Sequence, residues 1–144
     1  MTLKSYELLS LLQNEKLAIT ESLRVNKNVS IFDHQIRAAQ RIKNDFGGSA
    51  LLSDEVGLGK TVEAGIIIKE FLVTSLAKKV LILAPPSLLP QWQDEMMSKF
   101  NLDFVSQKGD SRFVNVFSHD LLLMSHSSAV FPNYSESLKD TFWD

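Results

Sequence analysis

No cysteine occurs in the chain, so disulfides and thiolate metal sites are excluded. That usage fits a cytosolic protein. No long uncharged apolar run is present, so no membrane-spanning helix is expected. The opening residues Met1–Glu7 lack the basic-then-apolar form of a secretory signal, and the expected location is cytoplasmic. An excess of one charge is also missing. The formal net charge of −2 neither marks a nucleic-acid binder nor excludes one with a local basic face. His34, His119 and His126 have no metal-ligand spacing, so no zinc site is expected. There is no internal repeat and no low-complexity segment. What remains is an ordinary globular composition, 44% hydrophobic over 144 residues, enough for one domain with a core.

The most informative stretch is Leu51-Leu52-Ser53-Asp54-Glu55-Val56-Gly57-Leu58-Gly59-Lys60-Thr61. An apolar strand runs into a Gly-rich loop that ends in Lys-Thr where a helix begins. This arrangement suits a nucleoside triphosphate. Glycines let successive backbone N–H groups converge on phosphate oxygens. Lys60 reaches the β- and γ-phosphates, and the Thr61 hydroxyl suits Mg²⁺. The helix points its positive end at the same phosphates. Asp54 stands where the strict pattern has its first glycine. A plain Gly-rich turn with a surface lysine is the competing reading.

The rest of the chain reads as alternating elements. Leu8, Leu12 and Ile19 share a helical face, predicting one amphipathic helix or two short ones over 3–24. Residues 26–30 read as a linker. Asp33 is the expected N-cap of a helix to about Asp45, with Ile36, Ala39, Ile42 and Phe46 as its buried stripe and Gly47-Gly48 as its stop. Ala50–Ser53 is an expected strand, and Thr61–Thr74 an expected, largely buried helix. The run Val80–Ala84 predicts a strand covered on both faces. A helix is expected from Leu89 to Phe100, with Pro90 in its first turn. Asp103–Ser106 and Leu121–Met124 are further strand candidates, and Tyr134–Phe142 a last helix. Strands alternating with helices predict a parallel α/β sheet.

These motifs, in this order, resemble the start of the first RecA-like domain of helicase superfamily two. The likeness is to the Swi/Snf-type ATPases, and within them to the bacterial RNA-polymerase-associated branch and its relatives. It is carried by His34-Gln35, by LLSDEVGLGKTVEAGIII at 51–68, by VLILAPPSLLPQWQDEM at 80–96 and by NLDF at 101–104. Asp-Glu-x-Gly-x-Gly-Lys-Thr is how that family writes its phosphate loop. The implied fold is α/β: part of a RecA-like P-loop NTPase domain over 31–144, with a parallel sheet and flanking helices. A short helical segment and linker, 1–30, precede it and match no pattern.

The resemblance implies a role for each matching residue. Gln35 would read the adenine edge, which an amide can pair bidentately. Asp54, Glu55, Gly57, Leu58, Gly59, Lys60 and Thr61 would form the ATP site, with Lys60 and Thr61 catalytic and Thr61 on Mg²⁺. Pro86, Ser87 and Gln91 would touch the DNA backbone, as would Ser125 and His126. Each has a plainer reading. Gln35 fits a solvated helix face, Ser87 an N-cap and His126 the surface. Trp92 reads as packing and Asp94-Glu95 as a solvated face.

Phosphoryl transfer to water needs an acid for the metal, a group to orient water and a cation. The resemblance assigns the first two to an Asp-Glu-Ala-His motif, and that tetrapeptide is absent here. The chain therefore reads as an N-terminal piece of a DNA-dependent ATPase, a translocase that remodels protein–DNA complexes. Alone, it is expected to bind Mg-ATP weakly without turnover and to self-associate or rearrange. The implied partners are double-stranded DNA and RNA polymerase or another DNA-bound protein, at the nucleoid. The alternative is a non-catalytic, nucleotide-dependent binding or regulatory module. An unrelated P-loop kinase or GTPase is disfavoured by Gln35 and the Pro-Pro-Ser strand end.

Overall fold

The computed structural model describes residues 16–19, 30–46, 48–53, 57, 59–106 and 116–144. Contacts divide the chain into two compact units, Met1–Val73 and Thr74–Asp144. Most of the helix expected over 3–24, and nearly all of the 26–30 linker, lie outside the described residues.

In the first unit, helix α1 spans Asp33–Asn44. Its N-cap is Phe32, not Asp33, which falls inside the first turn. Phe32 has no side-chain acceptor to offer. Gln35 works from the other direction: its Oε1 accepts the Phe32 N–H at 3.1 Å. That is the return half of a capping box. At the far end Gly48 adopts φ +90°. Its N–H donates to Ile42 O at 3.0 Å, closing the helix as a left-handed C-terminal residue does. Ile36, Ala39 and Ile42 are buried as expected. Phe46 is not; it lies beyond the helix end, 49% exposed, with the Arg41 guanidinium 5.5 Å from its ring centroid.

Helix α2 spans Lys60–Val73. Val62 and Ile66 are buried on it, and so are two carboxylates, Glu63 and Glu70. Their spacing of two turns puts them on one face. Glu70 Oε1 lies 2.9 Å from Lys43 Nζ of α1. Its Oε2 accepts the Ile19 N–H at 3.2 Å. The short stretch 16–19, with Leu17 and Ile19 buried, is thereby fastened to both helices.

The strand expected at Ala50–Ser53 does not form. A strand exists only through ladder bonds to a neighbour. None of the described strands pairs with this segment, and Leu51 is 89% exposed.

The second unit holds a parallel sheet of three strands, β1 (Val80–Ala84), β2 (Val105–Ser106) and β3 (Leu121–Ser125), in the order β1-β3-β2. Val80 pairs with Leu121 and Ala84 with Ser125. A helical turn at Pro86–Leu88 leads into α3 (Leu89–Phe100). β3 is followed by the short α4 (His126–Ala129) and by α5 (Pro132–Asp140). β3 is central and its residues 122–125 are buried. Leu122 and Met124 face a cluster with Leu81, Phe117, Tyr134, Leu138 and Trp143. Leu123 alternates to the other face. Met96 and Phe100 of α3 are also buried, and Gln93 Nε2 donates to Phe104 O at 3.0 Å.

β1 is not covered on both faces throughout, since Leu83 is 50% exposed. It pairs only with β3 among the described strands. At its start the Lys78 and Lys79 N–H groups donate to Asp144 Oδ2, at 2.7 and 2.8 Å. The Asp144 N–H in turn donates to Lys79 O at 3.0 Å. Those two bonds hold the Asp144 carboxyl below its ordinary value, the Lys79 bond most.

Candidate functional site

The first site is the loop entering α2. Gly57 and Gly59 have φ of +94° and +86°, in the left-handed region where side chains are strained. Two such turns let the backbone curl before the helix begins at Lys60. Gly59 O accepts the Glu63 N–H at 3.0 Å, so Gly59 opens the helix. Helix first turns present N–H groups without intrahelical acceptors, and Gly59 stands immediately before that end. Lys60 and Thr61 follow immediately, both partly buried. Asp54, Glu55 and Leu58 lie outside the described residues.

The glycines differ in what surrounds them. A Cβ on Gly57 would meet nothing within 4 Å. A Cβ on Gly59 would lie 2.5 Å from Gln35 Nε2. Gly57 thus leaves open space at the loop, and Lys60 and Thr61, a cation and a hydroxyl, follow it at the start of α2. These residues fit a Mg²⁺–triphosphate: Thr61 would hold the metal, whose chemistry is to neutralise phosphate charge. Gln35 is 2% exposed, with its oxygen on the Phe32 N–H and its nitrogen against Gly59. It is not the solvated helix residue of the plainer reading.

The second site is the C-terminal edge of the sheet, where open α/β sheets carry ligands. Because Ala84 pairs with Ser125, the segments after β1 and β3 emerge side by side. Four sequence-predicted residues, Pro86, Ser87, Ser125 and His126, are thus brought to one edge, and Gln91 follows in the first turn of α3. They are not equivalent. Pro86, Ser87, Gln91 and His126 are exposed. Ser125 is 4% exposed, and its Oγ accepts the Ser128 N–H at 3.0 Å and bonds Ser128 Oγ at 2.7 Å. It is the N-cap of α4. Gln91 Nε2 donates to Glu95 Oε1 at 2.8 Å, and Lys99 Nζ reaches Glu95 Oε2 at 2.9 Å. Burial alone would raise the Glu95 carboxyl, but bonds from Lys99 and Gln91 outweigh it and hold the carboxyl low. Glu95 is therefore a structural partner of Gln91 and not merely a solvated charge.

Sequence reasoning missed the buried Glu63 and Glu70. Their signal was available: two carboxylates seven residues apart, hence on one face, in a helix rich in apolar residues.

A Bacillus subtilis (strain 168) protein named as an uncharacterized ATP-dependent helicase, YqhH, is 53% identical over 75 residues. The match covers 52% of this chain and 14% of that protein. The chain thus spans about a seventh of that relative's length. Among solved structures, the Sulfolobus solfataricus SWI2/SNF2 ATPase core in complex with dsDNA matches at a TM-score of 0.62 and 23% identity. That match covers 72% of this chain and 23% of the other. It shows the fold, a parallel α/β sheet with flanking helices matching part of a RecA-like core. The SNF2-related domain family matches residues 7–126, and the chain belongs to that family.

Proposed function

We propose that this chain is the ATP-binding portion of a Swi/Snf-type, DNA-dependent ATPase. One observation carries the reading: left-handed Gly57 and Gly59 curl directly into α2 at Lys60. Lys60 binds the β- and γ-phosphates, Thr61 holds Mg²⁺, and the first turn of α2 supplies backbone donors. Asp54, Glu55 and Leu58 complete the loop. The exposed Ser87, Gln91, Pro86 and His126 touch the sugar–phosphate backbone of double-stranded DNA without reading its sequence. Ser125 acts behind them by capping α4.

The longer protein would be a translocase that shifts its grip on DNA and remodels protein–DNA complexes at the nucleoid. RNA polymerase or another DNA-bound protein is the partner class. This chain has no Asp-Glu-Ala-His tetrapeptide to hold the metal or orient water, so alone it binds Mg-ATP without turnover. Calorimetric titration of the chain with Mg-ATP tests the proposal. Binding lost in Lys60→Ala supports it. Binding that Lys60→Ala leaves unchanged overturns it; steady hydrolysis by this chain that Lys60→Ala abolishes would overturn only the absence of turnover.

A further inference from the structure

One edge of β1 has no partner among the described strands, since β1 pairs only with β3. The backbone bonds show which residues face that edge. The Val80 N–H donates to Asp120 O at 2.7 Å, so Val80 points toward β3. Backbone groups alternate sides along a strand. Ile82 and Ala84 therefore point toward β3 too, and Lys79, Leu81 and Leu83 point to the open edge. Lys79 is already occupied: its N–H donates to Asp144 Oδ2, and its carbonyl accepts the Asp144 N–H. Leu81 and Leu83 each present one N–H and one C=O there. Pro85, with no N–H, follows the strand. Such an edge is a template for pairing, and proteins commonly blunt it with charge. β1 carries no charge, and Leu83 is 50% exposed on it.

We propose that the open edge of β1 is a docking surface for a second copy of this chain. The two copies pair antiparallel about a two-fold axis at Ile82. Leu81 then lies opposite Leu83 of the second copy, and the two exchange both N–H···O bonds, as a hydrogen-bonded antiparallel pair does. Symmetry supplies the reciprocal pair, so the contact is self-complementary and closes at two copies. No like charges meet across Val80–Ala84. The register ends where Asp144 holds Lys79 and where Pro85 has no donor to give. The pairing uses no residue of the phosphate loop. A contact this small is at the weak end of protein interfaces, so the dimer is reversible and micromolar.

The experiment is sedimentation velocity of the full chain across the micromolar range. Expected is a monomer that converts reversibly to a dimer as concentration rises. Leu83→Lys places a charge on the exposed edge and should leave only monomer, with the thermal melt at low concentration unchanged. The chain has no cysteine, so Ile82→Cys gives a clean reporter. On the two-fold it meets its own mate at a Cα separation of about 4.5 Å, within disulfide reach. Oxidised glutathione should therefore cross-link it into dimers. If Ile82→Cys does not fold, Leu83→Lys decides alone. A parent chain that stays monomeric overturns the proposal. Leu81 and Leu83 amides protected from exchange in that monomer would place another segment of the same chain on the edge. A dimer unmoved by Leu83→Lys, open-ended oligomers, or a folded Ile82→Cys that does not cross-link would overturn it equally.

Discussion

Lys43 Nζ lies 2.9 Å from Glu70 Oε1, with the two side chains only 13% and 1% exposed, so α1 and α2 are joined by a buried ion pair. The Ile19 N–H on the other carboxylate oxygen completes the pairing. Buried pairs contribute modestly when intact, but removing one partner strands a desolvated charge, at about 3–5 kcal/mol. Lys43→Ala should therefore lower the urea midpoint sharply. Lys43→Met with Glu70→Leu should recover much of that loss. A double variant no better than Lys43→Ala would show that the charge was not the cost.

The loop glycines should rank by surroundings. Both Gly57→Ala and Gly59→Ala put a side chain at positive φ, at roughly 1–2 kcal/mol each. Only Gly59→Ala also drives a Cβ to 2.5 Å from Gln35 Nε2. Gly59→Ala should be the more destabilising by thermal melting, and pairing it with Gln35→Ala should relieve part of the excess. Equal melting temperatures for the two single variants would contradict the contact.

The parts legible in the sequence are those fixed by local rules. α3 spans the residues its pattern predicts because Pro90 and the apolar spacing act within the helix. Gly57 and Gly59 were readable because only glycine adopts their φ at little cost. Parts that depend on distant neighbours were not. Ala50–Ser53 has a strand's composition, but none of the described strands pairs with it. Ser125 looks like any polar residue after a strand, and only the fold turns its hydroxyl inward to Ser128. Phe46 fits the stripe of α1 by spacing, yet the helix ends before it.

Asp144 gives a pH dependence whose sign is fixed. Its folded carboxyl sits below the ordinary 3.8 because the Lys79 and Lys78 N–H groups bond its charged form. A depressed carboxylate contributes stability above its unfolded value of about 4, lost as pH falls through the lower folded value. The parent should exceed Asp144→Asn in melting temperature at pH 6, and the gap should close as the pH falls through the depressed folded value. A gap that widens on acidification would contradict the pairing.

The two serines at the sheet edge should separate stability from DNA contact. Ser125 is buried and caps α4, so Ser125→Ala should cost about 1 kcal/mol of folding stability. Ser87 is exposed on the turn after β1, with no side-chain cap to lose, so Ser87→Ala should leave the melt nearly unchanged. If the edge grips a DNA backbone, Ser87→Ala should still weaken binding of a duplex of arbitrary sequence, by a similar factor for unrelated sequences. Anisotropy with two such duplexes, alongside a urea melt, reads both effects. Loss of stability in Ser87→Ala, or a factor that changes with DNA sequence, would remove Ser87 from the backbone-contact role.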